Sequence, residues 1–262
     1  MPARLHHERI ARSDSNPERW LLLTHGFFGA GNNWRGIARK VTERRPEWGI
    51  VLVDLRLHGR SGTGDPPHTL AACAGDLAAL GIPVAALAGH SFGGKVVLAA
   101  RAQIDVQQTW VLDASPSARA GDAEATVPRV LALLERLPRS YARREDFIAA
   151  IEADGHASSL AQWLAMNLVA SGDGYVLRLE LPALRELLAD YFATDLWSAL
   201  ADPARGDVEV VVATRARTLS TADRDRLGTM PPHVHRRDVD ADHWLHIEAA
   251  PAVVELFATL LP

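Results

Sequence analysis

The pentapeptide Gly89-His90-Ser91-Phe92-Gly93 lies between two apolar runs, residues 84–88 and 96–100. A Gly-x-Ser-x-Gly placed where a strand turns sharply into a helix forces its serine into a strained turn, so the hydroxyl projects above the sheet edge. Glycines are needed on both flanks because side chains would collide in so tight a turn. The pentapeptide alone arises by chance in many chains. The strand before it, and the small-residue helix opened by Gly93 and Gly94, turn it into a signal for a nucleophile elbow.

The rest of the chain supplies the sheet that such an elbow needs. Apolar runs at 5–11, 20–24, 49–55, 84–88, 109–112, 208–213 and 234–239 alternate with helical patterns. The alternation predicts an α/β fold, a mostly parallel sheet with helices on both faces. The rhythm breaks between 116 and 200, where four helices are expected, at 127–137, 144–153, 160–169 and 181–193. Residues 175–179 form at most a short extended piece. The expected organisation is therefore a core of 1–115 and 201–262, with 116–200 as an all-helical cap inserted over the strand ends. A chain of 262 residues suits one domain with an insertion better than two independent domains.

Three further segments make a site of the serine. The run 20–24 ends in His25-Gly26-Phe27-Phe28-Gly29, a glycine-lined loop that can offer a backbone N–H to a developing oxyanion. The second N–H comes from the residue after the nucleophile, so the expected donors are Phe27 and Phe92. Among 11 histidines, His243 falls between the last strand and the last helix, where a base can reach over the serine. His246 competes, one helical turn on. The third group must hold the imidazole in one tautomer. After the strand 208–213 there is no carboxylate in Thr214-Arg215-Ala216-Arg217-Thr218, and Asp207 lies at the wrong end. Asp223 and Asp225 fall at a helix start, where acidic residues serve as caps. Asp113 ends the strand 109–112 on the same edge as Ser91 and is the expected acid, although Asp-x-Ser-Pro also makes a turn.

With Asp54-Leu55-Arg56-Leu57-His58-Gly59-Arg60-Ser61 and Asp242-His243-Trp244 added, the chain resembles the α/β-hydrolase superfamily. Within it the chain is similar to the small bacterial esterases of the YbfF type, whose elbow also reads Gly-His-Ser-x-Gly-Gly-Lys. The resemblance implies a carboxylester or thioester hydrolase with a helical cap. Two departures stand out. Asp242 replaces the usual glycine before the histidine, and Thr214-Arg215-Ala216-Arg217 replaces a turn that is often Gly-Gly-Asn-Ser.

The remaining features set bounds. A net charge of −4 leaves no electrostatic footprint for nucleic acid. The single cysteine, Cys73, forms neither a disulfide nor a metal cluster, which points to a reducing compartment. No apolar run has signal-peptide or membrane-spanning character, so a cytoplasmic location is expected. No metal or other cofactor is called for; the expected partner is a small ester or thioester, and the oligomeric state stays open. Asp54 and His58 read as loop-stabilising groups, and Trp34, Trp163, Trp197 and Trp244 as core or acyl-pocket residues. Two alternatives stand beside the esterase. One is a lyase or synthase of the menaquinone-pathway type, which would need a basic pocket from Arg56, Arg60 and the cap arginines. The other is a non-catalytic binding protein.

Overall fold

In the computed structural model, which describes residues 1–119 and 126–262, the apolar runs become neighbouring strands. Residues 120–125, part of the expected insertion, lie outside the description. The first half runs β1 (His7–Ile10), β2 (Arg19–Thr24), α1 (Arg35–Arg44), β3 (Trp48–Val53), α2 (Leu70–Ala79), β4 (Ala86–His90), α3 (Phe92–Ala100) and β5 (Gln108–Leu112). Next come α4 (Thr126–Arg136), β6 (Ser140–Tyr141), α5 (Arg144–Ala153), α6 (Ser158–Ala165), β7 (Leu168–Ser171), β8 (Gly174–Leu177), α7 (Leu181–Ala193) and α8 (Trp197–Ala201). The chain closes with β9 (Asp207–Ala213), α9 (Thr221–Leu227), β10 (Val234–Val239), α10 (Leu245–Glu248) and α11 (Ala250–Leu260).

The central sheet has seven strands in the order β1-β3-β2-β4-β5-β9-β10. Only β1 is antiparallel, pairing with β3. Helices cover both faces, which is why the inner strands read as continuous apolar runs instead of alternating. Along β2 the side chains part to opposite faces: Leu21 and Leu23 join a core with Trp34, Trp110 and Phe257, while Leu22 joins another with Val97 and Leu77. Each such buried leucine contributes about 1.5–3 kcal/mol. Parallel strands carried this way end together, so the turns after β2, β4, β5 and β10 share one edge of the sheet.

The stretch between β5 and β9 differs from expectation: it gains the short α8, and it is not all helical. The helix expected over 160–169 stops at Ala165, and β6, β8 and β7 form a three-stranded antiparallel sheet in that order. Gly172 adopts a φ of +57°, and the Ser171–Gly174 pair closes a two-residue hairpin loop of Gly172-Asp173. A side chain at Gly174 would put its Cβ 2.5 Å from the Tyr141 carbonyl. The Gly-Asp between two apolar runs was the local hairpin signal.

Point contacts tie the insertion to the core. Lys95, buried on α3, donates to the carbonyls of Ser117, Tyr191 and Thr194 at 2.8, 2.7 and 2.7 Å. Burial, with Arg119 nearby, lowers its pKa to about 8. Glu186 and Asp190 on α7 accept the backbone N–H groups of His68 and Leu70. Among the described residues no helix is long and apolar enough to cross a membrane.

Candidate active site

Ser91 sits between β4 and α3 with φ +54° and ψ −117°, a conformation that a non-glycine residue holds only under external constraint. The constraint is close packing. A Cβ at Gly89 would fall 2.1 Å from the Gly93 carbonyl oxygen, and one at Gly93 would meet the Thr24 hydroxyl at 2.5 Å. The Ser91 N–H donates to the Leu112 carbonyl on β5, which ties the elbow to the neighbouring strand.

The structure brings the three expected catalytic residues together from three strand ends. The Ser91 hydroxyl donates to His243 Nε2 at 3.0 Å, and His243 Nδ1 donates to Asp113 Oδ2 at 2.7 Å. Asp113, wholly buried, also accepts the Ala213 N–H at 3.1 Å. These two bonds, one to each oxygen, hold the carboxylate in place. His246 does not reach Ser91; it packs 5.1 Å from the Trp34 ring, with its Nδ1 buried and without a hydrogen-bond partner among the described residues. Burial and nearby His243 lower its pKa to about 4.

Asp223 has a different task. It caps α9 through Ser220 and accepts hydrogen bonds from the Ser115 and Ser117 hydroxyls, with Arg119 alongside. Burial pushes its carboxyl pKa up, but the hydrogen bonds from Ser117, Ser220 and Ser115 prevail and hold it below the usual range. Asp54 accepts the N–H groups of Gly31 and Arg60, a loop-holding role, and His58 is buried against His25 and Phe27. Burial and neighbouring His25 lower the His58 pKa to about 3, so it stays neutral.

Two groups near the imidazole escaped the sequence reading. Thr218 Oγ1 stands 3.0 Å from His243 Nδ1, in the turn that lacks a carboxylate. His90 Nε2 donates to the His243 backbone carbonyl at 2.8 Å, with the two rings 4.7 Å apart. Burial and proximity to His243 keep the His90 pKa well below its ordinary value, so the ring is a neutral strut. Nothing in the local sequence marks Thr218. His90 was visible within the elbow, but its partner lies 153 positions away.

Ser91 and His243 open onto a cavity of about 690 Å³. Phe27, Phe28 and Phe92 line its floor, and Val127, Leu160, Trp163, Leu188 and Phe192 of the insertion line its roof. Trp34, Trp163 and Trp244 border it, with the Trp163 and Trp244 rings 4.8 Å apart. Trp197 does not; it is buried elsewhere, donating to Ser117. Arg119, Arg215, Arg217 and Thr218 form the polar side. The Phe27 and Phe92 N–H groups face no acceptor among the described residues. Among those residues no group of His, Cys, Asp or Glu is arranged to hold a metal ion.

A mostly parallel sheet with a serine elbow at its carboxyl edge, and a histidine and a carboxylate beside it, defines the class of α/β hydrolases. The sequence profile of that family, "Alpha/beta hydrolase family", matches residues 21–256, and the chain belongs to it. Relatives include the sn-1-specific diacylglycerol lipase ABHD11 of Danio rerio, 27% identical over 250 residues, covering 90% of this chain and 75% of that protein. Esterase YbfF of Escherichia coli (strain K12) is 35% identical over 102 residues, 37% of this chain and 39% of its own. Among solved structures, a marine microorganism esterase aligns with a TM-score of 0.79 at 19% identity, over 96% of this chain and 97% of its own. E-2-(Acetamidomethylene)succinate Hydrolase aligns with a TM-score of 0.75 at 17% identity, over 98% and 99%. At such identities these two show a shared fold.

Proposed function

We propose that the chain is a serine carboxylester hydrolase acting on esters, or thioesters, of small to medium acyl groups. The observation that carries this reading is the Ser91–His243–Asp113 array, at 3.0 and 2.7 Å, opening into a cavity whose roof is apolar and whose one side is polar. His243 Nε2 takes the Ser91 proton as Oγ adds to the acyl carbonyl carbon. Asp113 orients the imidazole and stabilises the imidazolium. The carbonyl oxygen, now an oxyanion, receives the N–H groups of Phe27 and Phe92. Collapse returns the proton to the leaving alcohol or thiol; water, deprotonated by the same histidine, then releases the acid. The insertion, 116–200, acts as a cap whose apolar roof receives the acyl chain.

The synthase alternative asks for a basic pocket from Arg56, Arg60 and the cap arginines, and among the described residues Arg119 is the one of these that lines the cavity. Arg56 pairs with buried Asp76 outside the cavity lining, and Arg119 pairs with Asp223. A fluorophosphonate probe tests the reading. Wild type is expected to label covalently and to hydrolyse p-nitrophenyl esters; Ser91→Ala is expected to do neither. Undiminished hydrolysis by the alanine variant would sink the serine mechanism.

A further inference from the structure

We infer that Asn167, a residue of the insertion, is a positioning residue for the oxyanion-binding loop, so that docking of the insertion and completion of the oxyanion site are one event. The inference rests on the hydrolase reading above and on the geometry of four residues, Gly26 to Gly29. Their turn is closed by the Gly29 N–H donating to the Gly26 carbonyl at 3.0 Å, and Phe28 holds a φ of +64°. A bulky side chain in that region is unfavourable, so the turn keeps its shape only if its peptide groups are held from outside.

The holding groups can be followed peptide by peptide, because each peptide unit is planar and moves as one piece. The Phe27 N–H shares its plane with the Gly26 carbonyl and points the opposite way. That carbonyl is fixed by two donors, His25 Nδ1 at 2.7 Å and the Gly29 N–H. The Leu55 N–H donates to His25 Nε2 at 3.0 Å, which sets the tautomer that makes Nδ1 a donor. The Gly29 N–H in turn shares its plane with the Phe28 carbonyl, and that carbonyl accepts Asn167 Nδ2 at 3.0 Å. Asn167 therefore grips one peptide, that peptide grips the next, and the second carries the Phe27 N–H.

Asn167 is built to hold still. It is buried just past α6; its amide also donates to the Leu164 carbonyl at 3.2 Å, and its own carbonyl accepts the Arg178 N–H at 3.1 Å. Trp163 of α6 adds a ring contact to Phe28, with centroids 6.3 Å apart. Core residues alone supply the His25 end of the grip, whereas the Phe28 end comes from 139 positions away in the insertion.

The test separates positioning from folding by means of a reversible alkyl trifluoromethyl ketone. Its serine adduct places an oxyanion where the ester's forms, so its affinity reports the oxyanion site in correctly folded molecules only. Asn167→Leu removes the donor at similar volume, and Asn167→Ala removes it without added bulk should the leucine fail to fold. Misplacing a group by about 1 Å costs up to about a hundredfold. The expected result is a kcat on p-nitrophenyl butyrate lowered about tenfold or more, with KM within about twofold. The inhibition constant of the ketone should rise by the factor that kcat/KM falls. A lowered kcat with an unchanged inhibition constant would mean that only the folded fraction had dropped, and would overturn the inference. Unchanged values of both would overturn it too. Failure of the hydrolase reading shows elsewhere, as Ser91→Ala retaining activity.

Discussion

The carboxyl edge of the sheet and the insertion above it hold their cavity-facing residues by different means. Ser91, Asp113 and His243 follow β4, β5 and β10, strands held by ladder hydrogen bonds, with β4 and β5 wholly buried and β10 at the sheet's edge. Moving Ser91 or Asp113 means disturbing the backbone bonds that tie their turns to neighbouring strands. The insertion has no strand in that sheet. It is fastened through Lys95, Glu186 and Asp190, and through Asn167 to the loop after β2. The difference separates two kinds of consequence: changes at the edge should strike chemistry, and changes in the insertion should strike fit, except where a fastening reaches the edge.

The largest expected effect is at the edge. Ser91→Ala should lower kcat by about a millionfold with no shift in thermal midpoint, since no other group forms the acyl-enzyme. Next, Asp113→Asn should lower turnover by up to about ten-thousandfold, because the amide favours the wrong imidazole tautomer. Asp223→Asn should leave turnover within about tenfold but destabilise the fold by about 1–3 kcal/mol, because it weakens a buried hydrogen-bonded carboxylate. Equal, mild kinetic losses from the two aspartate variants would erase the distinction between an orienting carboxylate and a cap.

In the insertion the expected effects are smaller and differ in kind. Leu160→Ala enlarges the roof of the cavity, and the ratio of kcat/KM for hexanoyl over acetyl p-nitrophenyl esters should change by about tenfold. That corresponds to the lower part of the range for one methylene in an apolar pocket. Equal falls on both esters would make the roof a cover without selectivity.

The smallest effect concerns His246, placed at the edge but outside the relay. Its folded pKa of about 4 lies below the unfolded value of about 6.5. Between those values the unfolded chain holds a proton that the folded chain lacks. The stability is therefore complete above about pH 6.5 and is lost as pH falls toward about 4. His246→Phe removes the titration and the orphaned Nδ1. Its denaturant midpoint should fall less than that of wild type between pH 7 and pH 5, a difference on the order of 1 kcal/mol. Parallel decline of the two proteins would place the acid sensitivity elsewhere.

Much of the edge was legible in the sequence because its signals are local. The elbow reads in five residues, β10 was placed at 234–239, and Asp113 followed from where the run 109–112 ends. The hairpin β7–β8 was legible too, in Gly172-Asp173, but the apolar spacing of 160–169 suited a helix as well and masked it. Trp197 shows the opposite limit, since an aromatic residue reads the same whether it lines a cavity or packs away from it.

The sequence by itself determined the strand-and-helix rhythm, the strained serine and the positions of the histidine and the carboxylate, because periodicity and turn chemistry act within a few residues. Only the tertiary structure decided what touches what across the chain. It placed Thr218 at the imidazole, His90 under the His243 carbonyl and Asn167 on the Phe28 carbonyl, pairs separated by 25, 153 and 139 positions. The physical reason is that a side-chain hydrogen bond demands its partner within about 3 Å in a set direction, and a linear pattern encodes neither distance nor direction.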